Sequence, residues 1–302
     1  MAQNYPSRPI TLVVPFPAGG AADVVARQMA PRLSLRLGQA VVVENRPGAT
    51  GIIGTQQVAR AAPDGYTLVL IGSGSHGTLP NVMRSLPFDP IADFTPMGFG
   101  ARFPLVMVIS ASLPPRNLQD FIAYARARGE EVTYGTSGQG STLHIAGEMF
   151  RMATGLATSH IPFRGEALAL IEVMAGRVQT AFPAAGGAVA QVRAGTLRGL
   201  AVTAPARLPI LPDVPTMAEA GMPGFEIGVW YGIAGPARVP AAITQRIGDE
   251  IQRVVQEPDF VAGIQEQGGN TLPLGPEDFA AFIRQQIANI GRITRAANIV
   301  LE

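Results

Sequence analysis

Two glycine-rich segments carry residue types that can hold an anion without a cationic side chain. The first is Phe16-Pro17-Ala18-Gly19-Gly20-Ala21-Ala22-Asp23, where small residues admit a ligand to the backbone just as a helix begins. The unpaired N–H groups and positive dipole end of such a helix favour negative charge. Phe16, Ala18, Gly19, Gly20 and Asp23 are therefore candidate contacts. A plainer reading stays open, in which Asp23 merely caps the helix and the glycines merely turn the chain. The second segment is Gly135-Thr136-Ser137-Gly138-Gln139-Gly140-Ser141, with Ser141 placed to cap the next helix and His144 one turn further on. Thr136, Ser137, Gly140, Ser141 and His144 are its candidates. Together the two loops suit a carboxylate approached from opposite sides. Arg164, after a strand end in Ile161-Pro162-Phe163-Arg164-Gly165, fits the same ligand through its planar guanidinium, unless Glu166 pairs with it at the surface.

The run Gly72-Ser73-Gly74-Ser75-His76-Gly77 spells G-x-G-x-x-G after a strand. A dinucleotide site is disfavoured, because the run follows the third strand and Pro80 comes too soon for a long helix. No acidic residue ends a following strand to hold a ribose. Ser73, Ser75 and His76 read instead as a polar patch of a cleft.

Composition excludes much else. The chain has 302 residues and no cysteine, which removes thiol nucleophiles, disulfides and Cys-ligated metals. All 23 basic residues are arginine, which removes Schiff-base and P-loop lysines. The 3 histidines are too scattered for a His-rich metal site, and no G-x-S-x-G elbow occurs. No catalytic residue, metal or cofactor is expected. An α/β enzyme of hydrolase type, pairing Ser73 or Ser137 with a histidine across loops, stays open as the alternative. A net charge of +1 without a basic, aromatic-rich run argues against nucleic acid. The longest apolar runs, such as Ile10–Phe16, fall far short of the ~20 residues that cross a bilayer, so a soluble chain is expected. Met1-Ala2-Gln3-Asn4 lacks a leader and looks like a processed start, with Met1 a cloning residue.

The elements that must position these loops alternate. Strands are expected at 10–14, 41–43 and 66–71, with helices at 22–37 and 51–62. The pattern restarts after a Pro-rich stretch: strands at 105–110, 132–134, 158–161, 178–182 and 198–202, and helices at 118–128, 142–154 and 167–175. A proline-rich loop spans 203–215, a strand at 226–233 crosses back, and helices fill 241–256, 258–267 and 276–297. This order implies an α/β chain of two lobes, each a sheet flanked by helices, with the second lobe inserted in the first. Residues 1–102 plus 230–302 form one lobe and 103–229 the other, with a ligand cleft between them.

The chain resembles the Bug receptors, substrate-binding proteins of tripartite tricarboxylate transporters. The matching segments, in order, include Tyr5-Pro6-Ser7-Arg8-Pro9-Ile10, Val14–Gly20 with Asp23, and Val43-Glu44-Asn45-Arg46-Pro47-Gly48-Ala49. Pro63–Leu68, Gly138–Ser141 with His144, and Pro212–Thr216 with Glu219-Ala220-Gly221 complete the set, which covers nearly the whole chain. The resemblance implies a type II periplasmic binding protein fold with hinge closure, and a ligand carboxylate held at 16–23 and 136–144 by backbone amides and water. It implies a periplasmic receptor, not an enzyme, monomeric, that delivers a dicarboxylate, tricarboxylate or aromatic acid to a membrane permease. Service to a sensor is the other use of such receptors. Two departures stand out: Glu166, where the family often has a small residue, and Pro183-Ala184-Ala185, where many members carry an acid. The pocket near Phe163 and Ala184 is therefore expected to be more apolar than in amino-acid binders. Such a pocket binds deaminated or aromatic acids more tightly than aspartate; equal affinities in a calorimetric comparison would remove the expectation.

Overall fold

Short β-branched runs form the strands, and each ends at small residues that turn into a helix. The computed structural model describes residues 5–129, 132–296 and 299. Met1–Asn4, and Ala297 of the last expected helix, lie outside them. The first sheet is built from β1 (Ile10–Val14), β2 (Val41–Asn45), β3 (Thr67–Gly72), β4 (Phe94–Pro104) and β10 (Gly228–Pro236), in the order β2-β1-β3-β10-β4. The second holds β5 (Val106–Ser110), β6 (Thr133–Thr136), β7 (Ser159–Pro162), β8 (Thr180–Ala181) and β9 (Leu197–Val202), in the order β7-β6-β8-β5-β9. In both sheets the first three strands run parallel and the fourth is antiparallel to its neighbours. The two sheets therefore share one topology, a two-lobed α/β architecture.

Helices cover the sheets because their apolar stripes need burial. In α1 (Ala21–Leu37), Val25, Met29, Leu33 and Leu37 all face inward against Ile10, Leu12 and Val14. On the other face of the first sheet, α10 (Pro276–Ala296) sets Phe279 against Phe99 and Trp230 in edge contacts. The remaining helices are α2 (Ile52–Ala59), α3 (Leu79–Val82), α4 (Leu118–Arg128), α5 (Thr142–Thr154), α6 (Glu166–Met174), α7 (Ala185–Arg193), α8 (Ala241–Val254) and α9 (Pro258–Gln265).

Three elements differ from the sequence reading. β4 occupies the stretch read as Pro-rich connection, since its proline and glycine content hides a strand. Its prolines are tolerable because it is the edge of the sheet. Its Gly98 lets α8 approach closely: a Cβ there would stand 2.7 Å from the Ile251 side chain. α7 had no sequence counterpart, being a run of alanine and glycine with little amphipathic contrast. The Gly72–Gly77 run is not an open loop, because Gly74–Thr78 forms a wide π-type turn leading into α3.

The chain passes between the sheets at two adjacent places. β4 flows through Leu105 into β5, and the return enters β10, which pairs antiparallel with β4 so that Trp230 faces Arg102. Thr203, just after β9 and buried, joins the two passages. Its hydroxyl accepts from Leu105 N–H at 2.8 Å and lies 2.5 Å from the Ile227 carbonyl. Thr203→Val keeps the shape but leaves the buried Leu105 N–H without its acceptor and the half-buried Ile227 carbonyl without this donor. It should cost about 1–3 kcal/mol in urea denaturation, and an unchanged midpoint would show that the hydroxyl bears no part of the junction.

Candidate functional site

The first loop sits between β1 and α1, at the point where successive connections leave β1 toward opposite sides of the sheet. Such switch points create crevices at strand ends. Gly19 there adopts φ +83°, a conformation that suits glycine, and Ala18, Gly19 and Gly20 are exposed. No side chain caps α1, whose N-cap is Gly20. Asp23, by contrast, is buried and fully engaged. Its Oδ2 accepts from Gly19 N–H at 2.9 Å and from Arg27 Nε at 2.8 Å, and its Oδ1 accepts from Asn45 Nδ2 at 2.9 Å. Burial raises the Asp23 pKa, but the bonds from Arg27, Gly19 and Asn45 outweigh it and hold the carboxyl below its ordinary range. The same Asn45 amide donates to the Phe16 carbonyl at 3.1 Å. Asp23 thus shapes the loop, and Arg27 neutralises its charge.

The turn after β2 completes this wall. Gly48, Ala49, Thr50 and Gly51 all have positive φ, two of them non-glycine, and backbone strain of this kind gathers at functional sites. The Phe16 ring packs on Gly51, 3.3 Å from where a Cβ would be. Thr50 Oγ1 reaches toward the second sheet, 3.6 Å from the Cβ position of Gly138.

The second loop lies between β6 and α5, the equivalent place in the second sheet. Ser141 is the N-cap, its hydroxyl accepting from His144 N–H at 3.2 Å. Gly140 N–H donates to His144 Nδ1 at 3.2 Å, so the imidazole proton resides on Nε2. Thr136 Oγ1 contacts His160 Nε2 at 2.7 Å, and the rings of His144 and His160 stack with centroids 4.0 Å apart. Ser137, in the same loop, is half-buried. Across the cleft, Thr142 Oγ1 and Ser73 Oγ are hydrogen-bonded at 2.8 Å, joining α5 to the end of β3.

The expected residues thus fall into distinct places. Phe16, Ala18, Gly19 and Gly20 belong to the loop after β1 and Ser73 follows β3; Thr136, Ser137, Gly140, Ser141 and His144 belong to the β6–α5 segment, where Thr136, Gly140, Ser141 and His144 are buried. His76 stands apart. It is 0% exposed, 4.7 Å from the Phe94 ring and stacked on Phe88, with Nδ1 against Ser75 Oγ. The π-type turn rotates Ser75 and His76 into the lobe interior, away from any cleft patch. Arg164 is exposed and does not pair with Glu166. The Glu166 carboxyl turns inward, and its Oε2 accepts from Ala184 N–H at 3.0 Å. A carboxyl therefore stands beside Ala184, in the region expected to be more apolar than in amino-acid binders. Burial pushes Glu166 up to about 7 against the Ala184 bond. The same burial, with Glu166 nearby, raises the Tyr231 phenol. Tyr231, on β10 beside Phe16 with ring centroids 6.5 Å apart, was missed as a site residue because a strand aromatic carries no cleft signal. Among the described residues no cluster of three His, Cys, Asp or Glu is arranged for a metal, and no helix is long and apolar enough to cross a membrane.

Residues 25–299 match a family model described as a tripartite tricarboxylate transporter family receptor. The chain is 34% identical to Protein BugT of Bordetella pertussis over 302 residues, covering 100% of this chain and 93% of the relative. Rpa4515 of R. palustris, solved with adipate, superposes with a TM-score of 0.93 at 35% identity, covering 98% of this chain and 99% of that one. MatC from Rhodopseudomonas palustris, with bound malate, gives 0.89 at 29% identity, covering 96% and 99%.

All three histidines are held toward the neutral form. Burial takes His76 to about 3; burial, then His144, takes His160 to about 4 against Glu148; and burial lowers His144. Below about 6.5 the unfolded chain protonates them and the fold does not, so stability falls as pH falls from there toward 4. For enclosed His76 the slope approaches about 1.4 kcal/mol per pH unit; the partly wet pair contributes less. Glu166 acts oppositely: it stays protonated in the fold up to about 7, so its contribution is present at low pH and lost as pH rises through that value. Because Glu166 offsets part of the histidine loss over the same window, the difference between proteins is the readout: from pH 6.5 to 4.5, His76→Leu should lose less melting temperature than the wild type. A profile identical in both proteins would contradict this account.

Proposed function

Because the chain belongs to the tripartite tricarboxylate transporter receptor family, we propose that it captures a small carboxylate between its two sheets and delivers it to a membrane permease. The family consists of periplasmic binding receptors and not enzymes. The proposal places this chain in the periplasm as a monomer, with lobes 1–102 plus 230–302 and 103–229 closing around the ligand.

One observation carries the reading. Two strand–loop–helix units occupy the same position in two sheets of the same order, and the α1 start is left without a side-chain cap. Backbone N–H groups there can take a carboxylate, aided by the helix dipole. The contacts assigned to it are Gly19, Gly20 and Phe16 from one lobe, and Thr136, Ser137, Gly140 and Ser141 from the other. Asp23 and His144 act by holding their loops in shape. Adipate and malate, held by two relatives, are both small carboxylates.

Gly20 gives a cleaner test than Gly19, whose positive φ would strain any side chain. Gly20 has φ −81° and ψ 169°, extended backbone that valine adopts, and the nearest atom to its Cβ position is 3.7 Å away. A thermal-shift panel of carboxylic acids, backed by native mass spectrometry, first finds an acid that binds. Gly20→Val should then remain folded and bind that acid at least about tenfold more weakly, a loss of about 1.4 kcal/mol. Unchanged affinity in the folded variant would remove this loop from the site.

A further inference from the structure

Glu166, at the start of α6, turns its carboxyl inward to the Ala184 N–H, on the side of the second lobe that meets Tyr231 of β10. Its placement is fixed from three directions. Oε2 takes the Ala184 N–H at the start of α7, and Oε1 fills the space that a Cβ on Gly187 would need. Tyr231, from β10 of the other sheet, lies close enough for the carboxylate to disfavour ionisation of its phenol. That phenol makes no hydrogen bond to protein among the described residues. Ala184, Ala185, Gly186 and Gly187 add no charged side chain. Arg164, two residues away, stays at the surface.

We propose that Glu166 is a specificity residue that occupies the position a second ligand carboxylate would need, restricting this receptor to monocarboxylates with an uncharged far end. The inference rests on the carboxylate-receptor reading above. A diacid gripped at the two loops would bring its second carboxylate against that of Glu166, and two enclosed carboxylates cannot both ionise without cost. The Ala184 N–H that could stabilise the newcomer is already taken. A neutral far end meets no such conflict, and a hydroxyl or amide there can donate to Glu166 or accept from Tyr231. The raised pKa of Glu166 agrees, since the pocket already resists a single negative charge.

The test is isothermal titration at pH 8, where Glu166 is ionised, with matched acids: butyrate and succinate, hexanoate and adipate, benzoate and terephthalate. In the pair that fits best, the wild-type protein should bind the monoacid at least about tenfold more tightly, or about 1.4 kcal/mol. Glu166→Gln keeps an acceptor for Ala184 and removes the charge; Glu166→Gly clears the position. Both should shrink that preference below about threefold or invert it, with melting temperatures certifying the fold. Wild-type protein that binds diacids as tightly as monoacids overturns the role of Glu166 while leaving the receptor reading intact. So does an unchanged ratio in a folded variant. Failure of every acid to bind the wild type overturns the receptor reading, and this inference with it.

Discussion

The cleft depends on how the chain passes between its sheets. Both passages lie side by side as β4 and β10, paired along their length and fastened at one end by the Thr203 hydroxyl. Two strands hydrogen-bonded in this way bend and twist together far more easily than they slide. The pairing of β4 with β10 thus sets how the two sheets are joined. Every contact across the cleft, from Ser73 with Thr142 to Thr50 beside Gly138, inherits its position from that short ribbon.

Charge is handled sparingly around the first loop. Asp23 is neutralised by Arg27, and Asn45 ties both the carboxylate and the Phe16 carbonyl, while the Gly19 N–H is held by Asp23. Beside the second loop, burial holds His144 and His160 toward the neutral form. Dipoles fixed by the fold need little reorganisation when an anion arrives, whereas a flexible cation must first lose rotamer freedom.

Much of this was legible in the sequence, and the exceptions have physical causes. The alternating elements, the two small-residue loops that lead into helices and the family resemblance were all readable from short motifs. Asn45, inside one of those motifs, turns out to be the loop's anchor, a role that only three-dimensional proximity reveals. β4 was hidden because its glycines answer to helix packing and its prolines to an edge, neither visible along the chain. His76 was assigned to the cleft because a polar run looks exposed, yet the π-type turn aims it at Phe88 and Phe94. Glu166 was noticed as a departure, but its partner Ala184 N–H lies 18 residues away, at the start of a helix the sequence did not announce.

The shared strand order has a geometric corollary. A carboxylate has its own dyad: two equivalent oxygens related by a half-turn about the C–C bond. Under the carboxylate-receptor reading, two topologically equal loops on opposite walls can each offer donors to one of those oxygens, so that neither lobe alone holds the whole head group.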